Sequence, residues 1–174
     1  MSTPERILQI IGGANGGVES VILNYYRHID RRKYQFEFVD HKTTPTLYRQ
    51  EIESLGGRVF EVTPYTSNLI DFTREIYKII KEQGYRIVHN NMNTLACFGL
   101  FAAWWAGVPI RILHNHSTSV PSETQSNIMK AILKPFAKLF ANQYWACSQL
   151  AAKWMYGNNY NSYVKIINNA INLH

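Results

Sequence analysis

Apolar residues recur along this chain in two alternating rhythms. Short β-branched or aromatic runs at 6–11, 35–39, 58–62, 86–90, 110–114, 143–147 and 164–167 predict strands. Between them, apolar residues return at helical spacing. Val18, Val21, Ile22, Tyr25, Tyr26 and Ile29 form one such stripe, and Leu69, Phe72, Ile76, Ile79 and Ile80 a second. Ile128, Ile132, Leu133, Phe136, Leu139 and Phe140 form a third, which Pro135 should kink or divide into two shorter helices. The twelve-residue apolar run at 95–106 falls short of the roughly 20 residues that span a bilayer, so it predicts a buried helix. The alternation defines an α/β fold: a doubly wound, mostly parallel sheet with helices on both faces, Rossmann-like, in three αβα layers. At 174 residues the chain suits one domain.

In such folds ligands bind beyond the carboxyl ends of the strands, where strand order reverses. The segments that follow the predicted strands therefore carry the candidate chemistry. Gly12, Gly13, Gly16 and Gly17 separate the first strand from the first helix, where glycine lets a ligand approach the backbone and the helix start offers free N–H groups to an anion. Their spacing fits neither the dinucleotide nor the P-loop fingerprint. Glu19 stands in the first helical turn, where the helix dipole favours a carboxylate; holding a sugar hydroxyl is its alternative role. His89, Asn90, Asn91, Asn93 and Thr94 follow strand four, and His114, Asn115, His116, Ser117 and Thr118 follow strand five. The histidines suggest a metal only superficially. No nearby Asp, Glu or Cys completes a set, and the rings of His114 and His116 are expected to point to opposite faces. A hydrogen-bonding pocket without metal is the expectation.

Charge adds an asymmetry. Residues 1–83 hold eleven Lys and Arg against eleven Asp and Glu, whereas 84–174 hold seven against Glu123 alone, so the whole formal excess of +6 lies in the second half. A one-sided positive field points to an anionic partner such as a phosphate-bearing ligand or an acidic membrane. Nucleic acid is not expected. Lys130, Lys134 and Lys138 fall at i, i+4 and i+8 beside the third apolar stripe, a ridge that suits weak contact with an anionic membrane surface or, equally, an ordinary solvated edge. Cys97 and Cys147 lie fifty residues apart in apolar stretches and read as buried thiols of a reducing compartment. The opening MSTPERILQI passes straight into a strand without the apolar core of a signal peptide. The expected location is the cytoplasm, with contact at the inner face of the cell membrane if the lysine ridge serves that purpose.

Five motifs in order, GGANGGVESVILNYYRHI, GGRVFEV, RIVHNNMNTLACFGLFAAWWAGVPIRILHNHST, YWACSQLAAKWMYG and VKIINNAIN, resemble the amino-terminal domain of the family 4 retaining glycosyltransferases. The similar subgroup builds bacterial capsular polysaccharides and exopolysaccharides, and the resemblance covers nearly the whole chain. It implies a cleft between two Rossmann-like domains, this one on the acceptor side. A sugar would pass from a nucleotide-sugar donor to a saccharide or lipid-linked acceptor with retention, without further cofactor. It places Gly16 and Gly17 near the donor's diphosphate and His114 at the sugar-transfer centre. Asn115, His116 and Ser117 would line the same pocket, with His89, Asn91 and Asn93 on the strand-four loop. Relatives commonly carry a second histidine where this chain has Asn91, which weakens the match there. Ser148 would open the helix that closes the domain, and 167–171 would lead into a linker. The family's second domain, which holds most nucleotide-sugar contacts, would begin where this chain ends.

Two other classes fit parts of the pattern. A nicotinamide-dependent enzyme would use Asp40 to bind ribose, although Asp40 stands 28 residues after Gly12 and the glycine fingerprint is absent. A non-catalytic nucleotide- or acceptor-binding domain would bind without turnover.

Overall fold

Seven strands lie side by side in one sheet in the computed structural model, which describes residues 3–12, 16–43, 48–118 and 124–169. They are β1 (Glu5–Ile10), β2 (Tyr34–His41), β3 (Val59–Val62), β4 (Ile87–Asn90), β5 (Ile110–Asn115), β6 (Gln143–Ala146) and β7 (Val164–Ile166). Their order is β3-β2-β1-β4-β5-β6-β7, with every neighbouring pair parallel. The helices are α1 (Gly17–His28), α2 (Arg49–Ser54), α3 (Leu69–Gln83), α4 (Ala96–Trp105), α5 (Thr124–Phe140) and α6 (Gln149–Tyr156), with a short 3₁₀ turn at Asn93–Leu95. The chain winds outward from β1 to β3, returns through α3, and winds the other way from β4. The reversal of strand order therefore falls between β1 and β4, which creates the crevice this topology reserves for ligands.

Alternation along the strands divides the core in two. Leu8 and Ile10 of β1 enter the larger core with Phe72 and Ile76 of α3, Leu100 of α4 and Met155 of α6. Ile7, Phe36 and Phe38 face the other way, toward Ile22, Leu23 and Tyr26 of α1 and Ile52 of α2. The layered α/β architecture expected from the sequence is present, with α1 and α2 on one face and α3 to α6 on the other.

Local chemistry explains the helix ends. Asn68 caps α3 by accepting from the backbone N–H groups of Ile70 and Asp71 at 3.0 and 3.1 Å. At its other end Gly84 turns at φ +69°, a left-handed conformation that a Cβ disfavours. Close approach rather than conformation governs Gly99 in α4. A Cβ there would lie 2.5 Å from Asn90 Nδ2 and 2.9 Å from Ile10 Cδ1, so its absence lets α4 press onto β1 and β4.

Several expectations change. The helix α2 was not anticipated, because it buries Ile52 alone and is too short to show a stripe. Pro135 does not divide the third helical segment, since α5 is assigned as one helix across it. Neither does the apolar face of α5 pack wholly on the sheet: Ala137 is buried, whereas Ile128, Ile132, Phe136 and Leu139 are exposed. The lysine ridge is correspondingly half-buried. Lys134 donates to the Trp154 carbonyl at 2.8 Å with its ammonium 4.1 Å from the indole centroid. Burial pushes the Cys97 thiol up to about 12, while Cys147 is only half-buried; neither forms a disulfide. No helix among the described residues is long and apolar enough to cross a membrane.

Candidate functional site

The carboxyl ends of β1, β4, β5 and β6 bring together polar side chains that lie far apart in sequence. His89 and His114 are buried, their rings stacked at 5.1 Å with an interplanar angle of 11°. His89 Nε2 lies 3.0 Å from His114 Nδ1, so one of the two nitrogens carries the shared proton. Trp145 of β6 sets its indole edgewise against both rings. His116 lies over His114 at a centroid distance of 3.9 Å. The expectation that the rings of His114 and His116 point apart is therefore wrong. Side chains two residues apart on an extended segment return to the same face.

Asn91 fixes the outermost ring. Its Nδ2 donates to Gln9 Oε1 and to the His89 carbonyl, both at 3.3 Å, which leaves Oδ1 to accept from His116 Nε2 at 3.0 Å. On the other side His116 Nδ1 lies 3.2 Å from Asn169 Oδ1. Two facing amide oxygens favour a protonated ring, yet burial wins and pulls the His116 pKa down to about 4, with the Asn169 bond acting against it. Burial likewise lowers His89 to about 3, assisted by His116, and lowers His114 further, with both neighbours adding to the effect. All three rings are neutral near pH 7. Their stacking turns nitrogens toward one another and toward amides rather than to a shared centre, and no group of three among the described residues could hold a metal ion.

The remaining candidates divide between site and scaffold. Asn93 adopts φ +55° and donates to Ser117 Oγ at 2.5 Å, joining the strand-four and strand-five loops. Its own Oδ1 has no hydrogen-bond partner. Asn115 is buried and spends its Nδ2 on the carbonyls of Ser117 and Ala151, both at 2.8 Å. Ser148 caps α6 by accepting from the Ala151 N–H at 3.1 Å, a sufficient structural reason for a serine there. Glu19 is buried in the first turn of α1. Gly16 is the exposed N-cap of α1 and Gly17 its first residue, and an added Cβ at either would meet nothing within 4 Å. Packing within this structure therefore does not require glycine at those two positions. Gly13 lies outside the described residues. Asp40 is buried at 3% exposure and its Oδ1 accepts from the His41 N–H.

His114 sits at the carboxyl edge of the sheet, as anticipated, and is fully buried there. Its Nε2 is enclosed without a hydrogen-bond partner. Two further residues, Gln9 and Trp145, belong to the cluster, and each leaves a buried nitrogen unpartnered. Together with His89, Ile112, Tyr25 and Ile167 they line a hollow of about 290 Å³ beside α1. Gln9 had a legible signal, a lone amide within the apolar run ILQII; Trp145 had none beyond being an aromatic in a strand.

A parallel sheet of this order, with a hydrogen-bonded polar cluster at its reversal point, defines a Rossmann-like ligand-binding domain. Residues 15–174 match the model of Glycosyltransferase Family 4, and the chain belongs to that family. It is 33% identical over 163 residues to EpsF of Bacillus subtilis (strain 168), a protein provisionally described as a glycosyltransferase, and the match takes in 91% of this chain and 42% of EpsF. Among solved structures, Anabaena Alr3699/HepE in complex with UDP superposes with a TM-score of 0.66 at 18% identity, over 97% of this chain and 44% of that one. MurG of Acinetobacter baumannii gives 0.65 at 11% identity, over 97% of this chain and 46% of that one. Both likenesses concern the fold. The chain spans less than half the length of each of these proteins.

Proposed function

We propose that this chain is the acceptor-side, amino-terminal half of a retaining glycosyltransferase that moves a sugar from a nucleotide-sugar to a saccharide or lipid-linked acceptor. The observation that carries the reading is the cluster of His116, Asn91, Asn93 and Ser117 at the β1/β4 crevice, in a chain of this family. EpsF, described as a glycosyltransferase, supports transfer of a sugar; a role in bacterial surface polysaccharide synthesis, at the cytoplasmic face of the membrane, is part of the same proposal. UDP in Alr3699/HepE supports a nucleoside diphosphate as the donor's leaving group.

The donor's phosphates meet the start of α1 at Gly16 and Gly17, where the N–H groups of a helix's first turn and its dipole favour negative charge. In the retaining reaction the donor's phosphate takes the acceptor's proton on the face from which it departs. The side chains of this half orient and stabilise. His116 is the ring that reaches the ligand, with its proton held at Nε2 by Asn91, and His114 stacks beneath it as support. On this proposal the contact lies two residues on from His114, the position the family resemblance implies. The other wall of the cleft, with most donor contacts, belongs to a second domain.

Two measurements test the reading. Residues 1–174 alone should show no transfer from a panel of nucleotide-sugars, whereas the protein with its donor-binding half should be active. In that longer protein His116→Ala should lower kcat at least tenfold with the fold intact, and His114→Gln should act mainly through His116. Turnover by residues 1–174 at the rate of an intact relative would refute the two-domain reading.

A further inference from the structure

Beyond β7 the chain stays tied to the candidate site. The backbone N–H of Ile167 donates to the Ala146 carbonyl of β6 at 2.9 Å, which carries the pairing one residue past β7. The next carbonyl, of Asn168, accepts from the Tyr25 hydroxyl of α1 at 2.6 Å, and the Asn169 amide then meets His116 Nδ1 at 3.2 Å. Three successive residues are thus fastened to β6, to α1 and to the segment that follows β5. Asn168 and Asn169 are exposed, so both can exchange these partners for water without opening the core.

The bonds around His116 decide what its outer nitrogen accepts. Nε2 meets the buried Asn91, whose Nδ2 is committed to Gln9 and to the His89 carbonyl; Asn91 therefore presents an oxygen, and Nε2 carries the proton of the neutral ring. Nδ1 is left with a lone pair, which calls for a donor. The Asn169 amide serves either state of the ring. Its oxygen accepts from a protonated Nδ1, and after a half-turn about Cβ–Cγ its Nδ2 donates to a neutral one. A sugar hydroxyl supplies the same kind of donor from a ligand. Asn169 and such a hydroxyl compete for one lone pair.

We propose that Asn169 is a positioning residue that holds His116 Nδ1 in the free domain, and that a ligand hydroxyl donating to this nitrogen displaces it and unties residues 167–169. That the ligand is an acceptor sugar rests on the transferase reading; the competition at Nδ1 does not. On that reading the hydroxyl is one beside the reacting group, whose own proton goes to the donor's phosphate. Residues 167–169 carry the chain away from the sheet, so occupation of the site is passed to the segment that follows.

The test is NMR of residues 1–174 labelled in the histidine rings and backbone amides, with the His116 signals identified by their loss in His116→Gln. At pH 7.5 His116 should be neutral with its proton on Nε2. Asn169→Asp, which sets a carboxylate against Nδ1, should raise the midpoint of its titration by at least about one pH unit. The titratable rings stacked with it, His114 and beyond that His89, are the same in both chains. Asn169→Ala, at an exposed position, and Tyr25→Phe, which keeps the ring, should each speed exchange of the Ile167 amide about threefold to tenfold, the effect of one hydrogen bond. Methyl glucoside and methyl galactoside, titrated to high concentration, should shift the His116 Nδ1 signal and speed Ile167 exchange in the natural chain. They should bind Asn169→Ala about threefold to tenfold more tightly, because no amide has to leave. A proton on Nδ1, a titration unmoved by Asn169→Asp, or Ile167 exchange unmoved by either variant overturns the tie between Asn169 and His116. Glycosides that leave His116 unshifted in both chains, or bind both equally, overturn the displacement. None of these arms needs a donor sugar. Their success beside a longer protein that transfers nothing would count against the transferase reading alone, and an active longer protein whose His116 and Ile167 signals ignore glycoside would count against this inference alone.

Discussion

Moving from pH 7.5 to pH 5.5 should weaken this fold through its histidine stack. His89 and His114 are buried, and burial is the largest cause holding both rings well below their ordinary value of 6.5, His89 at about 3. In the unfolded chain both take a proton near pH 6.5. Below that point the unfolded state binds protons that the folded state refuses, so stability falls with pH from about 6.5 down to the folded-state values. One proton of difference is worth about 1.4 kcal/mol per pH unit, so each ring withdraws about 1.4 kcal/mol by pH 5.5 and the pair about 3 kcal/mol. His41 and His116 shift in the same direction and steepen the slope. Urea unfolding followed by circular dichroism at the two pH values measures the effect. His89→Gln, which keeps a hydrogen-bonding amide beside His114, should reduce the loss by about one proton's worth, or 1.4 kcal/mol at pH 5.5. Equal stability at both pH values, or an unchanged slope in His89→Gln, would refute the assignment of two enclosed neutral rings.

Two further substitutions probe the frame around the site. Gly99→Ala forces a Cβ against Asn90 and Ile10, and overpacking of this kind should cost about 1–3 kcal/mol and lower Tm by several degrees; an unchanged Tm would show that α4 does not sit so close to β1 and β4. Glu37, at 3% exposure, accepts from Arg58 Nε and Nη2 at 3.0 Å each and from the Tyr85 hydroxyl. Glu37→Ala should cost about 3 kcal/mol in a denaturation experiment, the low end for a buried pair because Arg58 is half-exposed and keeps water.

The sheet was legible in the sequence because the period-two and helical rhythms are each local. All seven predicted strands are present, with ends moved by one or two residues where hydrogen-bond pairing outlasts or falls short of the apolar run. Ser148 at the start of α6 and the glycines at the start of α1 were readable for the same reason, since caps and sharp turns depend on a few neighbouring residues. The site was legible as a set of loops and not as an arrangement. That His89 would touch His114, that Gln9 and Asn91 would orient His116, and that Trp145 would close the stack depend on the register between β1, β4, β5 and β6, which brings together residues up to 136 positions apart. The burial of His114 has the same origin, because a polar residue at a strand end is enclosed or open according to what the neighbouring strands place around it. The orientation of α5 is another tertiary decision. Its stripe declares an amphipathic helix, but which part of a wide apolar arc meets the protein is chosen by the neighbours it packs against. Here α4 and β5 leave room for Ala137 and turn Ile132, Phe136 and Leu139 outward.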